Sequence, residues 1–182
     1  MRAMMRVVAL LVAVSTMMAS VGLAQQAARA TKATDVSAAD IQAKLSQPSP
    51  TPGIGQPNIR VVDAGGYNVA IGALRREQNA AGVAAKHYQV TEVYHVIEGA
   101  ATLVTGGTMV NPKVRPADSV AVTQEDGPGE SGTAIEGGVS RQIKAGEVVV
   151  IPAGTPHWFS AIDGSITYLV VRFDPNRILT LK

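Results

Sequence analysis

The chain has 182 residues, with 16 Lys and Arg against 14 Asp and Glu, and it contains no cysteine. This length accommodates one domain with a sizeable core and is short for two. A near-neutral chain without a basic run offers little counterion-release energy to a nucleic acid, so we expect no nucleic-acid partner. Without thiolates or disulfides, any metal ion must bind to nitrogen and oxygen ligands.

Residues 1–24 have the pattern of a secretory signal peptide. Two arginines precede an apolar run from Val7 to Val14, and small residues follow this run. We expect cleavage after Ala24, with a second acceptable site after Ala30. An uncleaved anchor is the alternative, although the run is shorter than the ~20 residues that a membrane span needs. The pattern therefore predicts an exported protein, periplasmic or secreted, with no membrane attachment after cleavage.

Residues 25–57 are predicted to form a flexible lead that carries one short helix. Ser37 followed by Asp40 resembles a capping box, and Ile41 and Leu45 lie four residues apart, so we expect a helix over 37–45. A stretch rich in Pro and Gly follows and forbids regular structure. We place the main domain after it, at residues 58–182.

The main domain is predicted to be all-β. It is rich in Val, Ile, Thr and Tyr, and its short strands are separated by turn residues, as is typical of an antiparallel sandwich or barrel. The expected strands are 60–63, 67–76, 84–88, 92–98, 100–105, 133–136, 140–144, 147–151, 158–161 and 167–173. The expected turns lie at Gly65-Gly66, Gly106-Gly107, Gly137-Gly138 and Asp163-Gly164. Residues 111–132 are expected to be a long loop, either a lid or a tolerated insertion.

Two segments of this domain carry a distinctive spacing. In the first, four residues separate His87 from Glu92, and six separate Glu92 from Gly99. In the second, the order is Gly146, five residues, Pro152, one residue, Gly154, two residues and His157. These segments resemble the two motifs of the cupin superfamily. The resemblance covers about residues 67–173 and implies a small, jelly-roll-like antiparallel β-barrel, a double-stranded β-helix, preceded by one short helix.

The resemblance also implies a metal site. Cupins that keep four motif side chains bind a divalent ion, and here His87, Glu92 and His157 match three of those positions. Ala85 stands at the place of the fourth ligand, and Ala161 stands at the final Asn position of the second motif. Two imidazoles and a carboxylate suit Fe, Mn or Zn. A barrel without metal is the alternative, because Ala85 offers no ligand atom.

Several neighbouring side chains are further candidates. Gln89 would share a face with His87 and serve as a weak fourth ligand, with a polar turn residue as the alternative. Strand alternation from Glu92 directs Tyr94 inward, as a catalytic candidate or a core residue, and directs His95 outward. Trp158 and Phe159 are expected to build an apolar wall beside His157, or simply to pack in the core.

Three arginines on or beside predicted strands, Arg75, Arg76 and Arg141, are candidate clamps for a carboxylate substrate, with side chains that simply face solvent as the alternative. Of the three, Arg75 is carried forward as a substrate-binding candidate. The resemblance implies a metal-dependent enzyme of the oxidoreductase or isomerase class, dioxygenase-, isomerase- or lyase-like, acting on a small oxygen-rich molecule. A non-catalytic barrel that binds a sugar or an organic acid is the alternative. The resemblance also implies a homodimer that pairs through outer strands.

Overall fold

The computed structural model of the chain describes residues 32–47, 57–78 and 82–182. The expected signal peptide and most of the Pro/Gly stretch lie outside these residues. Within them, no helix has the length and apolar character that a membrane crossing requires.

The predicted helix is confirmed as α1 (Ala38–Leu45), which packs against the second strand of the sheet. Ser37 is its N-cap: the Ser37 hydroxyl accepts a hydrogen bond from the Asp40 amide at 3.1 Å, and the Asp40 carboxylate accepts one from the Ser37 amide at 3.0 Å. Both halves of the capping box therefore form, which satisfies amide groups that the first turn would otherwise leave without an acceptor.

The rest of the described chain is almost entirely antiparallel strands, as the sequence predicts. A nine-stranded sheet and a two-stranded sheet are present in the described part. The strands are β1 (Arg60–Asp63), β2 (Asn68–Glu77), β3 (Ala84–His87), β4 (Thr91–Thr105), β5 (Thr108–Val110), β6 (Lys113–Val114), β7 (Gly129–Gly132), β8 (Ala134–Glu136), β9 (Val139–Lys144), β10 (Val148–Ile151) and β11 (His157–Asp174).

Two long strands, β4 and β11, form the centre of the large sheet and pair with each other along most of their length. The sequence predicted each of them as two shorter strands, with a break at Gly99 in β4 and at Asp163-Gly164 in β11. Both predicted breaks are wrong. Both glycines lie inside continuous strands at positive φ, +79° for Gly99 and +71° for Gly164, where the pairing register shifts. These are β-bulges, which bend a strand without ending it.

The sheet does not close into the barrel that the sequence predicts. In the described residues β1 and β6 stand at the ends of the main strand path, and β9 and β10 pair only with β4. β3 joins β11 through a single residue pair, Ala85 with His157. The fold is therefore an open jelly-roll-like arrangement. Its largest buried cluster comes from β2, β4, β9, β10 and β11 and includes Tyr94, Leu103, Phe159 and Tyr168.

The segment 111–132 is not the structureless loop predicted. It contains β6, a π-helical turn at Ala121–Glu125, and β7, which pairs with β3. A Cβ on Gly129 would lie 2.1 Å from the Lys86 carbonyl oxygen, so the close approach of β7 to β3 requires glycine at this position. The segment is thereby fixed against the strand that carries His87.

Replacing Gly99 by alanine is expected to destabilise the fold strongly. Gly99 combines a φ of +79° with a Cβ position 1.9 Å from the Ser165 carbonyl oxygen. We expect a loss of about 3 kcal/mol or more in the free energy of unfolding, measured by urea denaturation. Gly106→Ala is the control, because Gly106 has a similar φ of +74° with nothing within 4 Å, so that only about 1–2 kcal/mol is lost. Equal losses in the two variants would contradict the close-approach argument.

Candidate metal centre

Three buried side chains that the motifs single out meet at one point. His87 ends β3, Glu92 lies at the start of β4, and His157 begins β11. Glu92 Oε2 lies 3.4 Å from His87 Nε2 and 3.3 Å from His157 Nε2. One nitrogen or oxygen from each of the three residues lies within 4.8 Å of the others. Two ligands held at about 2.1 Å from one ion and a tetrahedral angle apart would be about 3.4 Å from each other, so the carboxylate–imidazole distances fit a shared ion.

The carboxylate of Glu92 is held from two sides. Arg172 Nε donates to Glu92 Oε1 at 2.8 Å, and the Tyr94 hydroxyl donates to Oε2 at 2.9 Å. Burial alone would raise the pKa of Glu92, but His87, Arg172 and His157 together outweigh it and hold the pKa well below its usual range. Burial and the nearby Glu92 carboxylate raise the pKa of Tyr94 well above its usual range. Glu92 is therefore ionised, and Tyr94 is a neutral hydrogen-bond donor.

Arg172 connects this carboxylate to the rest of the fold. It pairs directly opposite Glu92 in the register of β11 with β4, which places the two side chains on one face of the sheet. Arg172 Nη1 donates to Asn58 Oδ1 at 2.7 Å, and Nη2 lies 2.8 Å from Asp126 Oδ1. Asn58 Nδ2 in turn donates to the backbone oxygens of Gln124 and Glu125. The π-helical turn is thus attached to the guanidinium that orients Glu92.

The two histidines have different hydrogen-bond partners at Nδ1, and these partners fix their neutral tautomers. His157 Nδ1 lies 3.1 Å from the Thr155 carbonyl oxygen, which only accepts, so His157 carries a proton on Nδ1, and in the neutral ring the lone pair lies on Nε2. His87 Nδ1 lies 3.2 Å from Arg115 Nη1, which only donates, so His87 carries its lone pair on Nδ1. A metal ligand binds through a lone pair, so only His157 is already in the tautomer that presents Nε2 to an ion.

The cluster opens into a cavity of about 280 Å³, whose walls are largely apolar. Ala85 lines it directly opposite His157, so the residue in the place of the fourth ligand contributes open space beside the cluster. Three arginines also line the cavity: Arg76 from β2, Arg172 from β11, and Arg115 from the segment 111–132.

The remaining predicted residues fall into two groups. Tyr94, Trp158 and Phe159 line the cavity; Phe159 belongs to the main buried cluster, and Trp158 Nε1 donates to the Gly82 carbonyl oxygen. Gln89 is exposed, and its amide oxygen accepts from Asn176 Nδ2 at 2.8 Å, so it lies apart from the three-residue cluster and acts as a polar residue after β3.

Arg75, His95 and Arg141 are exposed. Arg75 pairs with Glu77 on the outer face of β2, and the neighbouring Arg76 lines the cavity in its place. Alternation within β2 explains this, because Arg76 shares a face with the inward Leu74 and Arg75 does not.

Sequence reasoning missed three charged residues of the cavity. Arg172 had a usable signal, since it continues the inward alternation of Tyr168 and Val170 along β11. Arg115 and Asp126 had none, because they lie in a segment of irregular pattern whose partner strand is distant in the chain.

The strand order and the buried His–Glu–His cluster define a jelly-roll-like all-β protein with a candidate metal centre in its cavity. The chain belongs to the cupin family, whose model, described as "Cupin", matches residues 43–178. No curated protein matches the sequence.

Solved structures with similarity to this chain are distant. BH2720 from Bacillus halodurans is 11% identical, with 85% of this chain and 92% of that chain covered, at a TM-score of 0.45. An uncharacterized conserved protein with a double-stranded beta-helix domain from Klebsiella pneumoniae subsp. pneumoniae is 15% identical, with 85% and 97% covered, at 0.44. A recombinant oxalate oxidase in complex with glycolate is 21% identical, with 72% and 57% covered, at 0.39. These similarities carry no information on substrate or reaction.

The two tautomers are expected to be visible by nitrogen-15 NMR of metal-free protein, at a pH that deprotonates the imidazoles. We expect the ring proton on Nδ1 for His157 and on Nε2 for His87. Arg115→Met should return His87 toward the ordinary tautomer mixture and leave His157 unchanged, because only His87 contacts Arg115. The signals of His95, which is exposed, serve as the internal reference for an imidazole outside the cluster. A proton on His87 Nδ1 in the unsubstituted protein would contradict the assignment.

Glu125 in the π-helical turn is expected to give the fold a measurable pH dependence. Burial and the adjacent Asp126 raise the pKa of Glu125 from 4.5 to about 7. A raised carboxyl pKa stabilises the folded state fully at low pH, and this stabilisation is lost as pH rises from about 4.5 to about 7. Glu125→Gln should remove that decline and gain on the order of 2 kcal/mol over the unsubstituted protein at pH 8, measured by urea denaturation.

Glu136→Gln is the matched control for that series, because Glu136 is exposed on β8. It should keep the pH dependence of the unsubstituted protein. An equal flattening of the stability profile in both variants would refute the role of Glu125.

Proposed function

We propose that this protein binds one divalent ion of Fe, Mn or Zn through His87, Glu92 and His157, and that it acts on a small oxygen-rich molecule in the adjoining cavity. The reaction would belong to the oxidoreductase or isomerase class. When bound, such an ion polarises an oxygen-bearing substrate or activates oxygen. The chain's own residues supply three ligands and leave the Ala85 side of the cluster open.

One contact carries this proposal. His157 directs the lone pair of Nε2 at the ionised Glu92 oxygen, 3.3 Å away. Two acceptors at this distance repel each other unless a proton or a cation lies between them. The Thr155 carbonyl keeps the imidazole from rotating its proton into that gap, because it accepts the Nδ1 proton. The gap is therefore filled either by a second ring proton, which makes His157 an imidazolium, or by a cation. Two imidazoles with a carboxylate are ligands that Fe and Zn accept.

The residues around the ligands hold the carboxylate in one orientation. Arg172 occupies Glu92 Oε1, so that only Oε2 faces the histidines. Tyr94 donates to the same Oε2 and thereby fixes its position relative to the cavity. Carboxylate ligands are commonly oriented by such outer hydrogen bonds, whose loss costs about 10–100-fold in metal affinity.

A metal-free cupin that binds a sugar or an organic acid is the second candidate. It is favoured by the contact between Arg115 Nη1 and His87 Nδ1, since His87 must give up that contact before its Nε2 lone pair can bind an ion. Ala85 favours it as well, because it removes one ligand.

We also propose that the protein acts after export. The support is the sequence of residues 1–24, with two arginines before an apolar run and small residues after it. The homodimer that the family resemblance implies remains a prediction.

The metal proposal predicts close to one equivalent of Fe, Mn or Zn per chain in protein purified without a histidine tag and reconstituted with each ion. Elemental analysis and a metal-competition titration measure the content and the affinity. His157→Ala should weaken binding by more than about 100-fold, because it removes a ligand in the metal-binding tautomer. Glu92→Gln should weaken it as well, because the ion loses its only anionic ligand.

His95→Ala is the matched control, because His95 is the remaining histidine and is exposed on β4. It should keep the full metal content. A metal content near zero after reconstitution, or equal losses in His95→Ala and His157→Ala, would refute the metal site and leave the metal-free cupin.

A further inference from the structure

The cavity contains more positive charge than its own carboxylates compensate. Its walls carry three arginines against two carboxylates, Glu92 and Asp126. Arg172 forms ion pairs with both carboxylates: its Nε lies 2.8 Å from Glu92 Oε1, and its Nη2 lies 2.8 Å from Asp126 Oδ1. The described residues include every Asp and Glu of the chain, and none of them pairs with Arg76 or Arg115.

Arg76 and Arg115 are held in place by neutral groups. Arg76 Nε donates to the Tyr168 hydroxyl at 3.0 Å, and no acceptor among the described residues contacts its two terminal nitrogens. Arg115 donates from Nε to the Ser131 hydroxyl at 3.2 Å and from Nη2 to the Glu130 carbonyl oxygen at 3.4 Å. The positive charge of each guanidinium group is therefore not neutralised by a carboxylate. Each group also has N–H donors at the cavity wall that no protein acceptor uses.

We propose that Arg76 and Arg115 form an anion site and that the ligand of the cavity is a small organic carboxylate with an apolar body. This inference deepens the proposed function by naming the substrate class, and it rests on that function in taking the cavity as the substrate site. Guanidinium groups suit carboxylates because their planar array of donors matches two oxygens. A half-buried charge without a counter-ion is costly, and a bound anion removes that cost.

The rest of the wall favours a carboxylate over a phosphate or a sugar. Leu74, Leu103, Trp158 and Phe159 form the apolar part of the lining. The hydroxyls that also line the cavity already have protein partners; they belong to Tyr94, Ser119, Ser131 and Tyr168. The volume of about 280 Å³ admits only a small molecule. A ligand with one charged end and a short apolar body matches both the arginines and these walls.

Arg115 also links anion binding to the state of His87. Arg115 Nη1 contacts His87 Nδ1, and binding of an ion through Nε2 places a proton on that Nδ1, so the two donors then repel each other. Arg115 must leave His87 when an ion binds, and its Nη1 donors become available to an anion in the cavity. Coupling between two sites is reciprocal. An anion that attracts Arg115 therefore raises the affinity for the ion by the same factor by which the ion raises the affinity for the anion.

The test uses metal-free protein, so that its result is independent of the metal proposal. Benzoate, its neutral isostere benzamide, and inorganic phosphate are titrated into the full chain with a chelator present, and binding is followed by amide chemical-shift changes. We expect benzoate to bind and benzamide to bind at least tenfold more weakly. Arg115→Gln and Arg76→Gln should each weaken benzoate binding at least tenfold.

Arg75→Gln is the matched control, because Arg75 is adjacent to Arg76 in sequence and lies on the outer face of β2. It should bind benzoate like the unsubstituted protein. Equal affinities for benzoate and benzamide, or equal effects of Arg75→Gln and Arg115→Gln, would overturn the anion site. Tighter binding of phosphate than of benzoate would overturn the carboxylate class. Benzoate binding by a protein that takes up no metal would support the anion site while the metal proposal fails.

Discussion

The buried ion pair between Glu92 and Arg172 is the interaction on which the site depends. It follows from strand register, because the two residues stand directly opposite each other in β4 and β11. Both side chains are buried, at 1% and 3% exposure, so neither charge has water as a substitute partner. Loss of one partner from such a pair costs about 3–5 kcal/mol, since the other charge stays buried and uncompensated. The same contact occupies Oε1 and leaves Oε2 as the oxygen that faces both histidines.

Arg172 also explains why the segment 111–132 belongs to the site. Its guanidinium contacts Asp126 at the end of the π-helical turn, and Asn58 bridges it to the backbone of the same turn. β7 fixes the other end of the segment against β3, beside His87. Arg115 directly follows β6, which pairs with β7, so it reaches His87 from a segment that is held at both ends and at the π-helical turn. An irregular stretch of chain thereby supplies part of a precise cavity wall.

The sequence alone predicted the parts of this molecule that depend on local pattern. The capping box located α1, alternation located most strands, and motif spacing selected the three residues that meet in the cavity. It failed where a feature depends on distant contacts. Gly99 and Gly164 look like turn residues, and only the pairing of β4 with β11 shows that they form bulges. The sequence GESG has little strand propensity, and it becomes β7 because β3 lies beside it.

Arginine placement shows the same limit at the level of single residues. Arg75 and Arg76 are adjacent, and alternation along β2 decides which of the two faces the cavity. The predicted strand begins at residue 67, one residue before β2, and the choice of Arg75 does not use this alternation.

The charges of the cavity also determine which ligands belong together. With the imidazoles neutral, the three arginines of the cavity exceed its two carboxylates by one positive charge. A divalent ion alone would raise this to +3 in a mostly apolar cavity, which is unfavourable. A carboxylate alone would neutralise the cavity and leave the gap between His157 Nε2 and Glu92 Oε2 to a second imidazole proton. Under the proposed function, an ion and an anion together would satisfy both constraints, and Ala85 would leave space for the anion beside His157. Under the proposed function, the Ala85 position provides room for the ligand in place of a fourth metal ligand.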